Sequence, residues 1–370
     1  MPDQHHPHRR ICTIVPPHIL EQIARHGSPG EQSAALRTLQ VDASLRTERG
    51  LAPTQPSVSV SRGLRQRAVH DAEHNRTLPG ALVRGEGRPA TGDVDADAVY
   101  DGFGATWDLF HDVFGRDSYD DAGAELVGTV NYGRGYNNAF WNGTQMVFGD
   151  GDGRIFVSFT SAIDIMSHEL THAVTEYESG LEYHDQPGAL NEHLSDVFGS
   201  LVKQRVAGQT ATEADWLIGA GILGPTIHGV ALRSMMKPGS AYDDPVLGKD
   251  PQPGHMSDFI DTEDDQGGVH LNSGIPNRAF YLFAAALGGY AWEQAGGVWY
   301  ATATDDALPA TAQFADFAAL TVQHADTAGA QVGDACRRAW AEVGLPQSPA
   351  DVATWEDGEL GAAPEPLPYD

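Results

Sequence analysis

A chain of 370 residues with 41% apolar side chains is long enough for two or three domains, each with its own buried core. Its 23 basic against 51 acidic residues leave a formal charge of -28, which argues against nucleic acid or an anionic membrane as a partner and for a soluble chain, expected to be a monomer. Two cysteines, Cys12 and Cys336, are too few for a disulfide framework, although a single bridge between them stays open.

Residues 1–10 are polar and rich in His and Arg, and His5, His6 and His8 read as part of a solvated tail. The apolar run 11–15 is stopped by Pro16 and Pro17 before a signal-peptide core could form. Synthesis in the cytoplasm is therefore expected, with any export by a non-classical route. No stretch approaches the roughly 18 apolar residues of a membrane helix. A helix-like segment follows at 21–26, and 27–61 is polar, with Gly, Ser, Pro and Gln, which reads as the end of an N-terminal segment plus a cleavable linker.

The pattern changes at Ala68. Segments 69–72 and 78–84 suggest a first strand and turn, and 93–114 has helical periodicity with Val99, Phe103, Trp107, Leu109 and Phe110 on its apolar face. Short strands are predicted at 126–130, 139–141, 145–148 and 155–159. The Gly-Asp-Gly-Asp-Gly run from Gly149 lacks the downstream Glu of a calcium loop and reads as a tight turn. Beyond Gly188 the pattern is mainly helical, at 191–206, 213–223, 273–287, around 311–325 and at 332–343, before an acidic, Pro-containing tail from Gln347.

Between the two halves lies His168-Glu169-Leu170-Thr171-His172. On a helix both imidazoles fall on one face and can grip one zinc ion, with Glu169 beside them as a base. The next apolar-periodic stretch puts Glu192 and Asp196 four apart on one face, and a carboxylate there completes three protein ligands while leaving a fourth position for water.

These blocks, together with Asp265-Gln266-Gly267-Gly268-Val269-His270-Leu271-Asn272-Ser273-Gly274-Ile275 and Asn138-Ala139-Phe140-Trp141, resemble the thermolysin-like zinc metalloendopeptidases over roughly residues 70–345. The resemblance implies an α+β, two-domain fold: a strand-rich N-terminal half, a mainly helical C-terminal half and the zinc helix between them. It implies zinc on His168, His172 and Glu192, with Glu169 as base, Tyr183 and His270 as oxyanion donors and Asp265 fixing the His270 ring. Asp196 and Asn191 would orient the ligand histidines. Asn138, Ala139, Trp141 and Arg233 would hold a peptide backbone as an added strand. An apolar pocket of Phe156, Phe159, Ile165, Ile218, Ile222 and Leu232 implies cleavage before Leu, Ile, Phe or Val.

The start of the chain resembles the short propeptide of the protealysin-like branch, with its Pro-Pro-x-x-Leu motif. Expected domains are a propeptide and cleavable linker at 1–67, a catalytic domain at 68–185, a helical domain at 186–346 and the tail at 347–370. In a self-inhibited precursor that matures by autocleavage, Pro16 and Pro17 would stiffen the segment, Ile19 and Leu20 would anchor it, and Cys12 would offer a sulfur that zinc accepts. Family propeptides are nevertheless expected to inhibit without one.

One departure concerns calcium. Where the best-known members have the carboxylates of a double-calcium site, this chain has Lys203, Leu217 and Ala220, with Asp164 and Asp215 retained. That site is expected to be lost, with calcium elsewhere left open. His193 is expected to point away from the metal. Two alternatives differ in function: a zinc hydrolase restricted to small peptides or amides, and a non-catalytic zinc protein.

Overall fold

The computed structural model describes residues 11–49 and 63–347. The N-terminal histidines, residues 50–61 of the expected linker and the tail from 348 onward lie outside the described residues. In order, the elements that matter for the site are β1 (Cys12–Thr13), α1 (Pro17–His26), α2 (Pro29–Arg49), β2 (Arg67–Asp71), β3 (Ala81–Gly85), α3 (Val94–Phe114), β4 (Leu126–Val130), β5 (Ala139–Trp141) and β6 (Met146–Phe148). They are followed by α4 (Ile163–Tyr177), α5 (Asp185–Ala207), β7 (Leu217–Ile218), β8 (Arg233–Ser234), α6 (Asp265–Asn272), α7 (Gly274–Leu287), α8 (Gln294–Ala303), α9 (Phe314–Ala328) and α10 (Ala330–Glu342). The strand-rich first half and helical second half agree with the α+β reading.

A six-stranded sheet runs in the order β1-β5-β6-β4-β2-β3, parallel between β2 and β4 and between β4 and β6, and antiparallel elsewhere. α3 packs against it. It begins where the Asp93 carboxylate accepts the Ala96 N–H at 2.9 Å and ends at Gly115 in the left-handed region. Val99, Phe103 and Phe110 on its inner face are fully or nearly fully buried, as their helical spacing predicts.

α4 and α5 form the centre of the molecule, and every side chain from Asp164 to Thr175 is buried. Gly199 is what lets the pair close. A Cβ there would stand 2.6 Å from the Asp164 carbonyl oxygen, so only glycine lets α5 come near enough to carry Glu192 and Asp196 up to the α4 histidines.

The polar stretch 27–61 contains α2, Pro29–Arg49, where no helix was expected, and two expected elements fail further on. The polar composition of α2 is that of a helix touching the rest of the protein along a narrow stripe, with Thr38 and Asp42 fully buried. The strand expected at 155–159 is a single bridge from Phe156 to Leu223 followed by a 3-10 turn at Phe159–Ser161. The helix expected at 213–223 is β7 and turns. Trp216, Gly219 and Gly221 all take positive φ, which a helix cannot accommodate, and the result pairs Ile218 with Arg233. α8 was not anticipated, its Gly296-Gly297 pair having masked the helical period. Cys12 and Cys336 are both buried thiols in different parts of the chain, so the bridge left open is not made.

Candidate active site

His168 and His172 are one turn apart on α4 and fully buried. His168 Nδ1 donates to Asp196 Oδ1 at 2.9 Å, and His172 Nδ1 to Asn191 Oδ1 at 2.8 Å with Ser195 Oγ at 3.1 Å. With both Nδ1 protons so used, the Nε2 lone pairs face one another across 3.0 Å. Two lone pairs that close repel unless a cation lies between them.

Glu192 supplies the rest. Its Oε2 is 3.5 Å from His168 Nε2 and its Oε1 is 3.5 Å from His172 Nε2. Atoms bound at about 2.0–2.1 Å in a tetrahedron stand about 3.3 Å apart, so the triangle fits a zinc ion. Glu192 Oε2 and both oxygens of Glu169 are buried without a hydrogen-bond partner, a costly arrangement that a cation over the ligand face relieves. Burial and the neighbouring Glu192 push the Glu169 pKa well up.

Beside Glu192 lie Tyr183 and His270. Tyr183 Oη donates to Glu192 Oε1 and lies 3.3 Å from His270 Nε2. The D-Q-G-G turn that carries His270 needs its glycines: Gly267, at φ 86, would put a Cβ 2.0 Å from Asp185 Oδ1. Asp265 then accepts from His270 twice, from the backbone N–H at 2.9 Å and from Nδ1 at 2.7 Å. Burial disfavours charge on this ring, but Asp265 and Glu192 outweigh it and raise the pKa to about 9.

Asp196 is shared between metal and substrate sides. It accepts from Arg233 Nε at 2.9 Å and Nη2 at 2.7 Å, and from Asn277 Nδ2 at 2.9 Å, besides His168. Burial would raise its pKa, but Arg233 and His168 hold it far below the usual carboxylate range. His193 turns away as expected. Its Nδ1 donates to Asn277 Oδ1 and its Nε2 accepts from Trp299 Nε1, both at 2.7 Å, and burial lowers its pKa to about 4.

The substrate side is filled by the start of the chain. β1 pairs antiparallel with β5, Cys12 opposite Trp141 and Thr13 opposite Phe140. The Ile14 N–H donates to the Ala139 carbonyl at 3.1 Å, and the Ile14 carbonyl accepts from Arg233 Nη1 at 3.1 Å. Asn138 grips Val15 at both ends, through Oδ1 at 2.9 Å and Nδ2 at 3.3 Å. The Thr13 carbonyl meets His270 Nε2 at 2.8 Å.

Phe156, Phe159, Ile165, Ile218, Ile222 and Leu232 are all buried in the main hydrophobic core, to which Ile14 also belongs. Ile19 and Leu20 are buried too, but on α1, which starts at Pro17 with Pro16 as its cap. The residue beside Arg233 is Ile14, which sequence reasoning overlooked, as it did Thr13, Ser195 and Asn277. The two-residue alternation of a strand paired to β5 was the available signal for Thr13 and Ile14. For Ser195 and Asn277 there was none.

The Gly149–Gly153 run is a turn, with Asp152 Oδ1 accepting from the Arg154, Ile155 and Phe156 N–H groups. Lys203 Nζ lies 2.8 Å from Asp215, 3.0 Å from the Leu217 carbonyl and 3.6 Å from Asp164.

Two histidines a turn apart, a carboxylate from the next helix and a free-standing glutamate beside them define a zinc metallopeptidase. Family models agree: that of the thermolysin metallopeptidase catalytic domain matches residues 64–176, and that of its alpha-helical domain matches 179–345. The chain belongs to the thermolysin metallopeptidase family, and within it is protealysin-like. It is 52% identical over 338 residues to an extracellular metalloprotease of Pectobacterium carotovorum subsp. carotovorum, covering 91% of this chain and 97% of that one. Protease PrtS of a Photorhabdus strain is 48% identical over 341 residues, 90% of this chain and 91% of the relative. The solved precursor of protealysin, a metalloproteinase from Serratia proteamaculans, superposes with a TM-score of 0.84 at 52% identity over 90% of this chain and 99% of that one.

Proposed function

We propose that this zinc endopeptidase cuts peptide bonds before Leu, Ile, Phe or Val, and that residues 11–49 keep it inactive until it cuts its own chain ahead of β2. The observation that carries the reading is the grip on Thr13, Ile14 and Val15. Ala139, Arg233, Asn138 and His270 engage successive backbone groups of an extended segment, which suits a long peptide rather than a small amide. Ile14, the residue after the held carbonyl, is fully buried, as a large apolar residue after the cut would be.

Zinc on His168, His172 and Glu192 supplies Lewis acidity, polarising a carbonyl and acidifying a water. Glu169 takes the proton of the attacking water on a carboxylate oxygen and hands it to the leaving amine. Its buried, unpartnered oxygens and raised pKa suit a group that must hold a proton between the two steps. His270 Nε2 and Tyr183 Oη donate to the developing oxyanion. Arg233 and Asn138 fix the backbone, so that the carbonyl is presented to these donors in one orientation.

The Lys203 ammonium stands among Asp164, Asp215 and the Leu217 carbonyl, oxygens that elsewhere in the family would face calcium. The set does not fit a cation, and an internal ion pair takes its role.

Full-length protein incubated alone should lose its N-terminal segment and then hydrolyse casein, and a chelator should stop both. Glu169→Gln should keep its zinc, stay full length and leave casein intact. Casein hydrolysis by the zinc-loaded Glu169→Gln protein, or activity confined to small amides, would overturn the reading.

A further inference from the structure

The geometry points to Cys12 as a fourth zinc ligand of the precursor, and to its sulfur as the reason the Thr13–Ile14 peptide bond, held as a substrate, stays uncut. This rests on the reading that the site holds zinc and cleaves peptides.

The substrate-like register is complete across that bond. The Thr13 carbonyl oxygen is on the oxyanion donor His270 at 2.8 Å, the Ile14 N–H is on the Ala139 carbonyl, the Ile14 carbonyl is on Arg233, and Val15 is on both arms of Asn138. The bond whose carbonyl meets the oxyanion donor, and whose next residue meets Arg233, is the bond such a site hydrolyses. Nothing in its backbone protects it. What can protect it is removal of the nucleophile.

Cys12 is in position to remove it. In an extended strand the side chains of residues 12 and 14 project from the same face, and both are buried against the catalytic half. Sγ, a ring nitrogen of His172 and a carboxylate oxygen of Glu192 all lie within 4.8 Å of one another, a group that does not include His168, so full ligation asks for a small inward shift of the sulfur. The side chain is 6% exposed and packs in a small cluster with Tyr183 and Val269. Around the same space Glu192 Oε2 and both Glu169 oxygens are buried acceptors without partners, which marks it as a place for a cation and its ligands. Thiolate is a strong zinc ligand. On ligation the thiol proton and the displaced water leave for solvent, and no bond of the chain forms or breaks.

The test is X-ray absorption at the zinc edge on the full-length precursor, kept intact by Glu169→Gln, which removes no ligand. One sulfur at about 2.3 Å is expected, absent in the Cys12→Ser, Glu169→Gln protein. Chelator competition should find zinc held roughly tenfold more weakly without the sulfur. In the otherwise wild-type chain, Cys12→Ser should yield a new N-terminus at Ile14 by mass spectrometry. Only nitrogen and oxygen around zinc in the Cys12 precursor would overturn the ligation, and an intact Thr13–Ile14 bond in Cys12→Ser would overturn the protection. A chain that binds no zinc and whose matured form leaves casein intact would instead overturn the proposed function.

Discussion

His270 lies against Glu192 and Asp196 against His168, and together they separate two contributions that are easily confounded. His270 touches the carbonyl but not the ring nitrogens that bind metal, so His270→Ala should lower kcat by roughly 100- to 1000-fold with zinc content unchanged by metal analysis. Asp196 binds both His168 and Arg233, so Asp196→Asn should move two readouts together. Zinc affinity should fall by roughly 10- to 100-fold as His168 loses its orienting carboxylate, and KM should rise as Arg233 loses its fixed direction. A change in KM with unchanged zinc affinity would mean that Asp196 serves only the arginine. At this scale the sequence was most informative where function forces spacing. Two histidines four apart, and the acid four residues after another acid, are one-turn relations that survive any packing. The contact of Asn277 with both Asp196 and His193 was not legible, because it links residues 81 and 84 positions apart that only the packing of α7 on α5 brings together.

Among the elements, α2 shows the limit most clearly. A helix that buries only Thr38, Asp42 and a few small residues looks like linker when judged by periodicity. Yet Asp42 accepts from Tyr136 Oη at 2.5 Å and from Asn138 Nδ2 at 3.0 Å, so the propeptide helix holds the residue that grips Val15. Burial raises the Asp42 pKa to about 6, against the pull of Tyr136 and Arg46. On α1, burial lowers the His18 pKa from 6.5 to about 4. The signs oppose. Asp42 binds its proton more tightly when docked, so its contribution is present at low pH and lost as pH rises from 3.8 to about 6. His18 docks neutral, so its contribution is present above 6.5 and lost as pH falls towards 4. The windows overlap almost entirely, and propeptide docking, followed by protection from added protease in the Glu169→Gln protein, should change little between pH 7 and 4. Asp42→Asn should expose a loss of protection below pH 6.5, and His18→Gln a gain on acidification.

Over the whole molecule, the α4–α5 pair fixes the metal ligands and Glu169, α6 and β8 bring His270 and Arg233 to them, and the ion pair of Lys203 links α5 to the β7 region. Asp164 is fully buried, and removing its partner leaves an uncompensated carboxylate. Lys203→Met should lower stability by about 3 kcal/mol, discounted somewhat because Lys203 is partly solvated and burial already raises the Asp164 pKa. Thermal unfolding with and without millimolar calcium checks this. Calcium should leave the wild-type melting temperature unchanged, and a calcium-induced rise would mean that the site still takes the ion. The division into a strand-rich half and a helical half was readable from period alone, whereas β7 was not, since its two residues owe their conformation to pairing with β8 rather than to any local preference.

The strand β1 belongs to the same polypeptide as the edge it occupies, and that makes the latency proposed above a matter of dilution. While the chain is continuous, the inhibitory segment faces its cleft at an effective concentration of order millimolar, whatever the amount of protein present. Once the chain is cut, the same segment must compete at its bulk concentration. A cut sample kept concentrated should therefore remain largely silent and gain specific activity on dilution, with a midpoint that reads the dissociation constant of the freed segment. Activation would then have two stages, one chemical and one set by volume, and a producing cell would be protected by the second for as long as the cut complex stays crowded.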